Sequence, residues 1–393
     1  MSQQLIDRNA DLKKLRDDGY DIEVRSNFLL IKNVPYVNSN KEVKLGTLVS
    51  GLHLAGEMTT TPDTHVACFI GDYPCYHDGS EIRQIKHQSG DQTLDKDLVV
   101  NHSFSAKPNG GYKDYYTKMM TYADIISGPA ETIDPRVTAK IFPVIATCEQ
   151  ESVFNYVDTA SSRAGITAIT RKLELEKIAI VGLGGTGSYI LDLVAKTPVR
   201  EIHLFDGDEF LNHNAFRSPG AASIDELSKR SKKVVYFSEL YSRMRRNIFP
   251  HDNYLDSQNI NQLQGMNFVF LCLDRGMDKL PIVERLEEWG TSFIDVGMGV
   301  QLIDEFLIGV LRVTTSTVNK RDHVRTKNRI PFSDVNGDDE YSQNIQIADL
   351  NSFNAALAVI KWKKLFGFYK DYDNEHFSTY TIDGNVLDNE DKL

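Results

Sequence analysis

The stretch "IAIVGLGGTGSYI", residues 178–190, decides the fold: an apolar strand, a glycine-rich turn and the start of a helix. Gly182, Gly184, Gly185 and Gly187 satisfy G-x-G-x-x-G with one glycine to spare. The first glycine permits a tight turn, the second lets the backbone approach a phosphate, and the last lets the helix pack closely on the strand. A helix beginning near Ser188 offers free N–H groups and the positive end of its dipole to anionic oxygens. Asp206 ends the next strand, 24 residues after Gly182, where an acidic group takes ribose hydroxyls. This unit is expected to bind a nucleotide. The turn alone leaves two readings open, a dinucleotide for hydride transfer or ATP for activating a carboxylate.

Outward from the turn, strand and helix alternate. "KIAIVGLGG" reads as a buried strand, "SYILDLVAK" as a helix, and "REIHLFDGD", "NFVFLCLD" and "TSFIDVGMGV" as further strands. Such alternation predicts an α/β, doubly wound, Rossmann-like domain with a mostly parallel sheet covered on both faces. We place it at residues 151–393. Late in that span Leu350, Phe353, Leu357 and Ile360 recur at helical spacing and predict a core-packing helix. Residues 1–150 read differently, as a smaller α+β domain. Strand-like pieces such as "NFLLIKNVPYV" and "THVACFIGDYPCY" mix there with turn signals. An amphipathic helix is expected over Gly111–Ile126, broken by Gly128, Pro129 and Pro135. The boundary falls near residues 145–160.

Composition narrows the function classes. The 393 residues are 41% hydrophobic and 25% charged, as in a globular protein with sizeable cores. A net charge of −11 argues against a nucleic-acid partner, which needs clustered positive charge. The four cysteines, Cys68, Cys75, Cys148 and Cys272, form no CxxC pair, so neither a four-cysteine zinc site nor a disulfide framework is expected. The polar start "MSQQLIDRNADLKKL" is no signal peptide, and no apolar run approaches a membrane span. We expect no membrane association and a cytoplasmic location. His65, His77, His87 and His102 lack metal-ligand spacing, and Tyr112, Tyr115, Tyr116 and Tyr122 read as a core stripe.

Residues beyond the glycine turn separate hydride chemistry from adenylyl transfer. A dehydrogenase needs little past Asp206 except a remote catalytic base. In adenylyl transfer a carboxylate attacks the α-phosphorus while pyrophosphate leaves, which calls for cations and a carboxylate to hold Mg²⁺. "FDGDEFLNHNAFRSPG" supplies Asp206, Asp208, Asn214 and Arg217, "KRSKKVV" supplies Lys233, and Asp274 ends the apolar strand "FVFLCLD". In an open parallel sheet that end is where ligands bind.

With those residues in order, positions 160–366 resemble the adenylating domain of the ThiF/MoeB and ubiquitin-activating enzyme superfamily. Its pattern is G-x-G-G-x-G, D-x-D-x-V-x-x-S-N-L-x-R-Q, a lysine, and an aspartate ending a "DCTD"-like strand. Here Asp206, Asp208, Phe210, Asn214 and Arg217 fit the second motif without gaps. His213, Ala215 and Ser218 depart from it. The resemblance implies ATP rather than a nicotinamide cofactor, with Asp206 on the ribose. It places Asn214, Arg217 and Lys233 on the phosphates and Mg²⁺ on Asp274. It also implies an arginine upstream of the first strand that reaches the γ-phosphate, usually in the dimer partner's site. Arg163 is the candidate and Arg171 a weaker one. It further implies a bacterial activating enzyme for a ubiquitin-like carrier, homodimeric through the adenylating domains, and a first domain that recruits the carrier or a conjugating partner. The rival readings are an adenylating enzyme for a sulfur carrier or another acceptor, an inactive scaffold, and a nicotinamide-dependent oxidoreductase.

Many relatives of that superfamily form a thioester on a cysteine after the "GMG" strand. The corresponding crossover segment, residues 312–344, has no cysteine and is expected to be a polar, mobile loop. Three routes remain: direct transfer to an acceptor, an oxyester on Thr315, Ser316 or Ser333, or a cysteine elsewhere. Cys272 beside Asp274 and Cys75 near His77 are the candidates for the last.

Overall fold

The computed structural model describes residues 2–147, 149, 150, 152–333 and 345–393. The chain forms two compact units, residues 1–145 with 157–165, and residues 146–156 with 166–393.

The first unit is an antiparallel sheet of six strands. Their spatial order is Asp21–Arg25, Phe28–Val37, Val43–Gly51, Val66–Ile70, Leu98–Ser105 and Lys86–Asp95. One helix, Tyr115–Ile133, covers one face, with Asp114 capping it by accepting from the Thr117 N–H at 2.7 Å. It starts later and runs further than the sequence predicts, passing through Gly128 and Pro129. The reason is the apolar stripe: Met119, Tyr122, Ala123, Ile126 and Ala130 continue at helical spacing into the core beyond those residues. Burial along that stripe outweighs one lost backbone hydrogen bond. Tyr112, Tyr115 and Tyr122 are core residues whose hydroxyls bond the Ala106 carbonyl, the His53 N–H and the Ala106 N–H respectively.

In the second unit an eight-stranded sheet is assembled from β1 (Lys177–Val181), β2 (Glu201–Phe205), β3 (Ile248–His251), β4 (Phe268–Leu271), β5 (Ser292–Ile303), β6 (Phe306–Ser316), β7 (Phe377–Thr381) and β8 (Val386–Glu390). The order is β3-β2-β1-β4-β5-β6-β7-β8, parallel from β3 through β5 and antiparallel from β5 onward. Continuous apolar strands serve both faces. Ile178 and Ile180 point into one core with helices α1 (Gly185–Ala195), α2 (Lys233–Ser242) and α4 (Ala348–Leu365). Ala179 and Val181 point into the other with α3 (Gly276–Glu288). This is the doubly wound, mostly parallel architecture that the alternation implies.

Two local expectations are corrected. Helix α1 begins at Gly185 rather than near Ser188, because the glycines themselves make its first turn. Helix α4 forms where expected, but Phe353 and Ile360 are exposed. Its buried stripe is Asn351, Asn354, Ala355, Ala358, Val359 and Trp362. The alanines let α4 approach α1 closely, and Phe353 packs edge-on against Tyr380 at 4.8 Å.

Candidate active site

A cleft of about 1200 Å³ opens at the carboxyl ends of β1 and β4, where the strand order reverses. That crevice is the ligand site of open α/β sheets, since the two flanking connections leave in opposite directions. Gly182, Gly184, Gly185, Asp206, Asp208, Arg217, Lys233 and Asp274 all line it.

The glycines divide the work. Gly182 has φ +89°, and a Cβ there would stand 2.6 Å from the Cys272 carbonyl oxygen, so both conformation and space exclude a side chain. A Cβ on Gly187 would meet the Gly182 carbonyl oxygen at 1.9 Å. Gly187 is thus a packing glycine and does not line the cleft. A Cβ on Gly184 would meet nothing within 4 Å, and this is where backbone faces the opening. Helix α1 therefore presents its first N–H groups and the positive end of its dipole to the cleft.

Asp206 is buried. Its carboxylate accepts from the Leu183 N–H at 2.7 Å and the Asp208 N–H at 2.8 Å, tying the glycine turn to the end of β2. Lys233, 5% exposed, places Nζ 2.6 Å from Asp208 Oδ2 and 3.6 Å from Asp206. Burial works to raise the Asp208 carboxyl, but hydrogen bonds from Lys233 and Tyr254 outweigh it and hold the group below the usual carboxylate range. Arg217 has a buried Nε with no hydrogen-bond partner among the described residues. A buried guanidinium N–H in that condition is a donor available to an anion. Asp274 is exposed just past β4 and accepts from Gln346 Nε2 at 3.3 Å.

One expected site residue stands elsewhere. Asn214 turns its side-chain oxygen back to the Leu211 N–H at 2.8 Å, as a cap on its own short helix, and does not line the cleft. Arg163 belongs to the first unit, with its guanidinium 5.3 Å over the Phe142 ring.

The sequence reading missed a buried carboxylate behind the cleft wall. Asp295, fully buried in β5, pairs with Lys279 Nζ at 2.8 Å and Arg312 Nη2 at 2.7 Å. Both cations line the cleft. The signal was an aspartate inside an apolar strand, which demands partners. Asn351 was missed as well. Its amide occupies the space a Cβ on Gly185 would need and accepts from Thr186 Oγ1 at 2.9 Å, locking α4 to the turn.

The nucleophile candidates are also corrected. Residues 312–316 belong to β6 rather than to a loop, and Thr315 and Ser316 are buried in it, out of reach of an acyl group. Ser333 is exposed, while residues 334–344 of the expected loop lie outside the described residues. Cys75 is buried, and burial first, then Glu81, Asp78 and Asp72, push its thiol up. Burial likewise pushes up the Cys272 thiol on the cleft floor, with Asp295 adding to it. Neither is an activated thiolate. Cys148 lies outside the described residues.

No group of three or more His, Cys, Asp and Glu side chains among the described residues forms a metal site on its own. A single exposed carboxylate such as Asp274 suits Mg²⁺ held jointly with nucleotide phosphates, because Mg²⁺ keeps few protein ligands.

Residues 10–159 match a domain of unknown function (DUF6791), and residues 159–300 match the ThiF family. The mouse ubiquitin-like modifier-activating enzyme 5 is 25% identical over 150 residues, 35% of this chain and 37% of that protein. The chain thus matches little more than a third of this curated relative's length. Among solved structures, E. coli MccB with MccA aligns at TM-score 0.46 and 16% identity over 60% of this chain and 73% of that one. E. coli MccB with ATP aligns at 0.44 and 18% over 59% and 68%, and PaaA at 0.45 and 16% over 57% and 76%. The ThiF family model matches residues 159–300, the stretch that holds the glycine turn, Asp206, Arg217, Lys233 and Asp274.

Proposed function

We propose that this protein adenylates the C-terminal carboxylate of a ubiquitin-like polypeptide, using ATP and Mg²⁺, and so activates it for transfer. The observation that carries the reading is the convergence of the glycine turn, Arg217, Lys233 and Asp274 on one cleft at the strand-order reversal. A hydride-transferring enzyme has no use for two cations and a carboxylate there.

In this reading the phosphates lie against the amino end of α1 at Gly184. Arg217 and Lys233 neutralise the charge that builds up as a carboxylate oxygen bonds to the α-phosphorus and the bond to pyrophosphate breaks. The products are acyl-AMP and pyrophosphate. Asp274 would hold Mg²⁺, which supplies further charge neutralisation on the phosphates. Asp206 both shapes the turn and offers its remaining lone pairs to the ribose. The resemblance of the active-site motif to activating enzymes, and the match to a ubiquitin-like modifier-activating enzyme, support a polypeptide carboxylate as substrate. Cys75 and Cys272 being unactivated and Thr315 and Ser316 buried favours passage of the acyl group directly to a separate acceptor. We further propose a homodimer through the adenylating domain, with Arg163 serving the partner's cleft, and carrier or acceptor recruitment by residues 1–150.

Intact-mass spectrometry tests this. A ubiquitin-like carrier incubated with the protein, Mg²⁺ and ATP should gain one AMP, and Asp274→Ala should abolish the gain. Failure of wild-type protein to bind ATP would refute the proposal.

A further inference from the structure

The cleft contains an aromatic residue that the adenylating motif does not explain. Tyr254 follows β3 and lies with its ring against Gly207, where a Cβ would come within 2.7 Å of Tyr254 Cε2. Its hydroxyl donates to Asp208 Oδ1, while Asp208 Oδ2 takes Lys233 Nζ at 2.6 Å. The ring is thus fixed by its edge and one side, yet 65% of the residue is exposed, and it lines the cleft with Leu255 and Leu273. An aromatic face held in place and left open, beside aliphatic lining, is a stacking surface for another planar group. Its position names the group. Gly207 follows Asp206, at the ribose end, and the phosphates lie toward Gly184. The base, on the far side of the ribose from the phosphates, comes to Tyr254.

We infer that Tyr254 is the stacking face for the nucleotide's purine base. The inference rests on the nucleotide reading given above and adds to it the element that holds the base. It also gives Gly207 a reason, because any side chain there displaces the ring.

The test is calorimetric titration of the full-length protein with ATP and, separately, with inorganic tripolyphosphate, which has no base. Tyr254→Ala should weaken ATP binding on the order of tenfold and leave tripolyphosphate affinity unchanged. Gly207→Ala should behave in the same way. Tyr254→Phe, which keeps the ring and loses the bond to Asp208, should retain most of the ATP affinity. ATP binding by Tyr254→Ala equal to wild type would overturn the inference. So would an equal loss of ATP and tripolyphosphate, which would place the residue's effect on the phosphate end or on the fold. If wild-type protein binds tripolyphosphate and ATP equally, no base site exists. If wild type binds neither, the nucleotide reading itself falls, a result seen before any variant is made.

Discussion

Lys118 permits a quantitative test of the first unit's packing. Its side chain is 0% exposed, and Nζ donates to Ser50 Oγ at 2.9 Å. Burial lowers the ammonium from 10.5 to about 8, with Asp63 and Cys68 opposing only weakly. The sign follows from proton counting: between those two values the unfolded chain binds the proton more tightly than the folded one. Stability therefore rises as pH increases through this window, and the full cost of the buried charge is present below it. At about 1.36 kcal/mol per pKa unit the cost is roughly 3 kcal/mol at pH 7 and falls to about 1 kcal/mol near pH 9.5. Lys118→Met keeps the stem's packing and removes the charge, and Ser50 retains its bond to the Gly51 carbonyl at 3.0 Å. Subtracting about 1 kcal/mol for the lost hydrogen bond, the variant should be more stable than wild type by about 2 kcal/mol at pH 7. That advantage should vanish by pH 9.5. Trp289 and Trp362 both report on the second unit, so the assay is urea-dependent labelling of the buried Cys75 thiol. Rates are normalised to the unfolded chain at each pH. A pH-independent difference between variant and wild type, or a variant less stable at pH 7, would refute the reasoning.

Other expectations concern the second unit. Gly187→Ala places a methyl group 1.9 Å from the Gly182 carbonyl oxygen and should abolish ATP binding by dislodging α1, measured by calorimetry and by loss of the cooperative thermal transition. Gly184→Ala has room for its methyl group, so it should fold like wild type and lose only nucleotide affinity. Arg217→Ala should slow carrier adenylation by roughly 10²–10³-fold, read by pyrophosphate release, with thermal stability unchanged, because its Nε has no partner to lose. A Cys75→Ser, Cys272→Ser double variant should still form acyl-AMP and pass it on. Loss of transfer with adenylation intact, in an acceptor discharge assay, would restore a thioester route.

The β1 turn, the doubly wound sheet and most of the cleft were legible because their signals are local. A strand feeding G-x-G-G-x-G must turn tightly, and ordered acidic and cationic residues after successive strands must converge at the carboxyl edge of a parallel sheet. The failures share a cause. Pro129 and Gly128 looked like helix breakers because a short window cannot weigh a single lost hydrogen bond against the burial of Ile126 and Ala130 on the sheet. The α4 face was misassigned because large apolar residues were taken to point inward, whereas close contact with α1 requires the alanines there.

The sequence by itself determined the glycine turn, the parallel α/β architecture around it and the set of charged residues available to the cleft, since each depends on residue type and spacing along the chain. Only the tertiary structure decided which of those residues stand where. It withdrew Asn214 into a helix cap, buried Thr315 and Ser316 in a strand, and paired Asp295 with Lys279 and Arg312. It also laid Tyr254 across Gly207, 47 residues away in the chain. Those outcomes turn on partners distant in sequence, whose approach is set by burial and charge pairing in the assembled core and leaves no periodic trace along the chain.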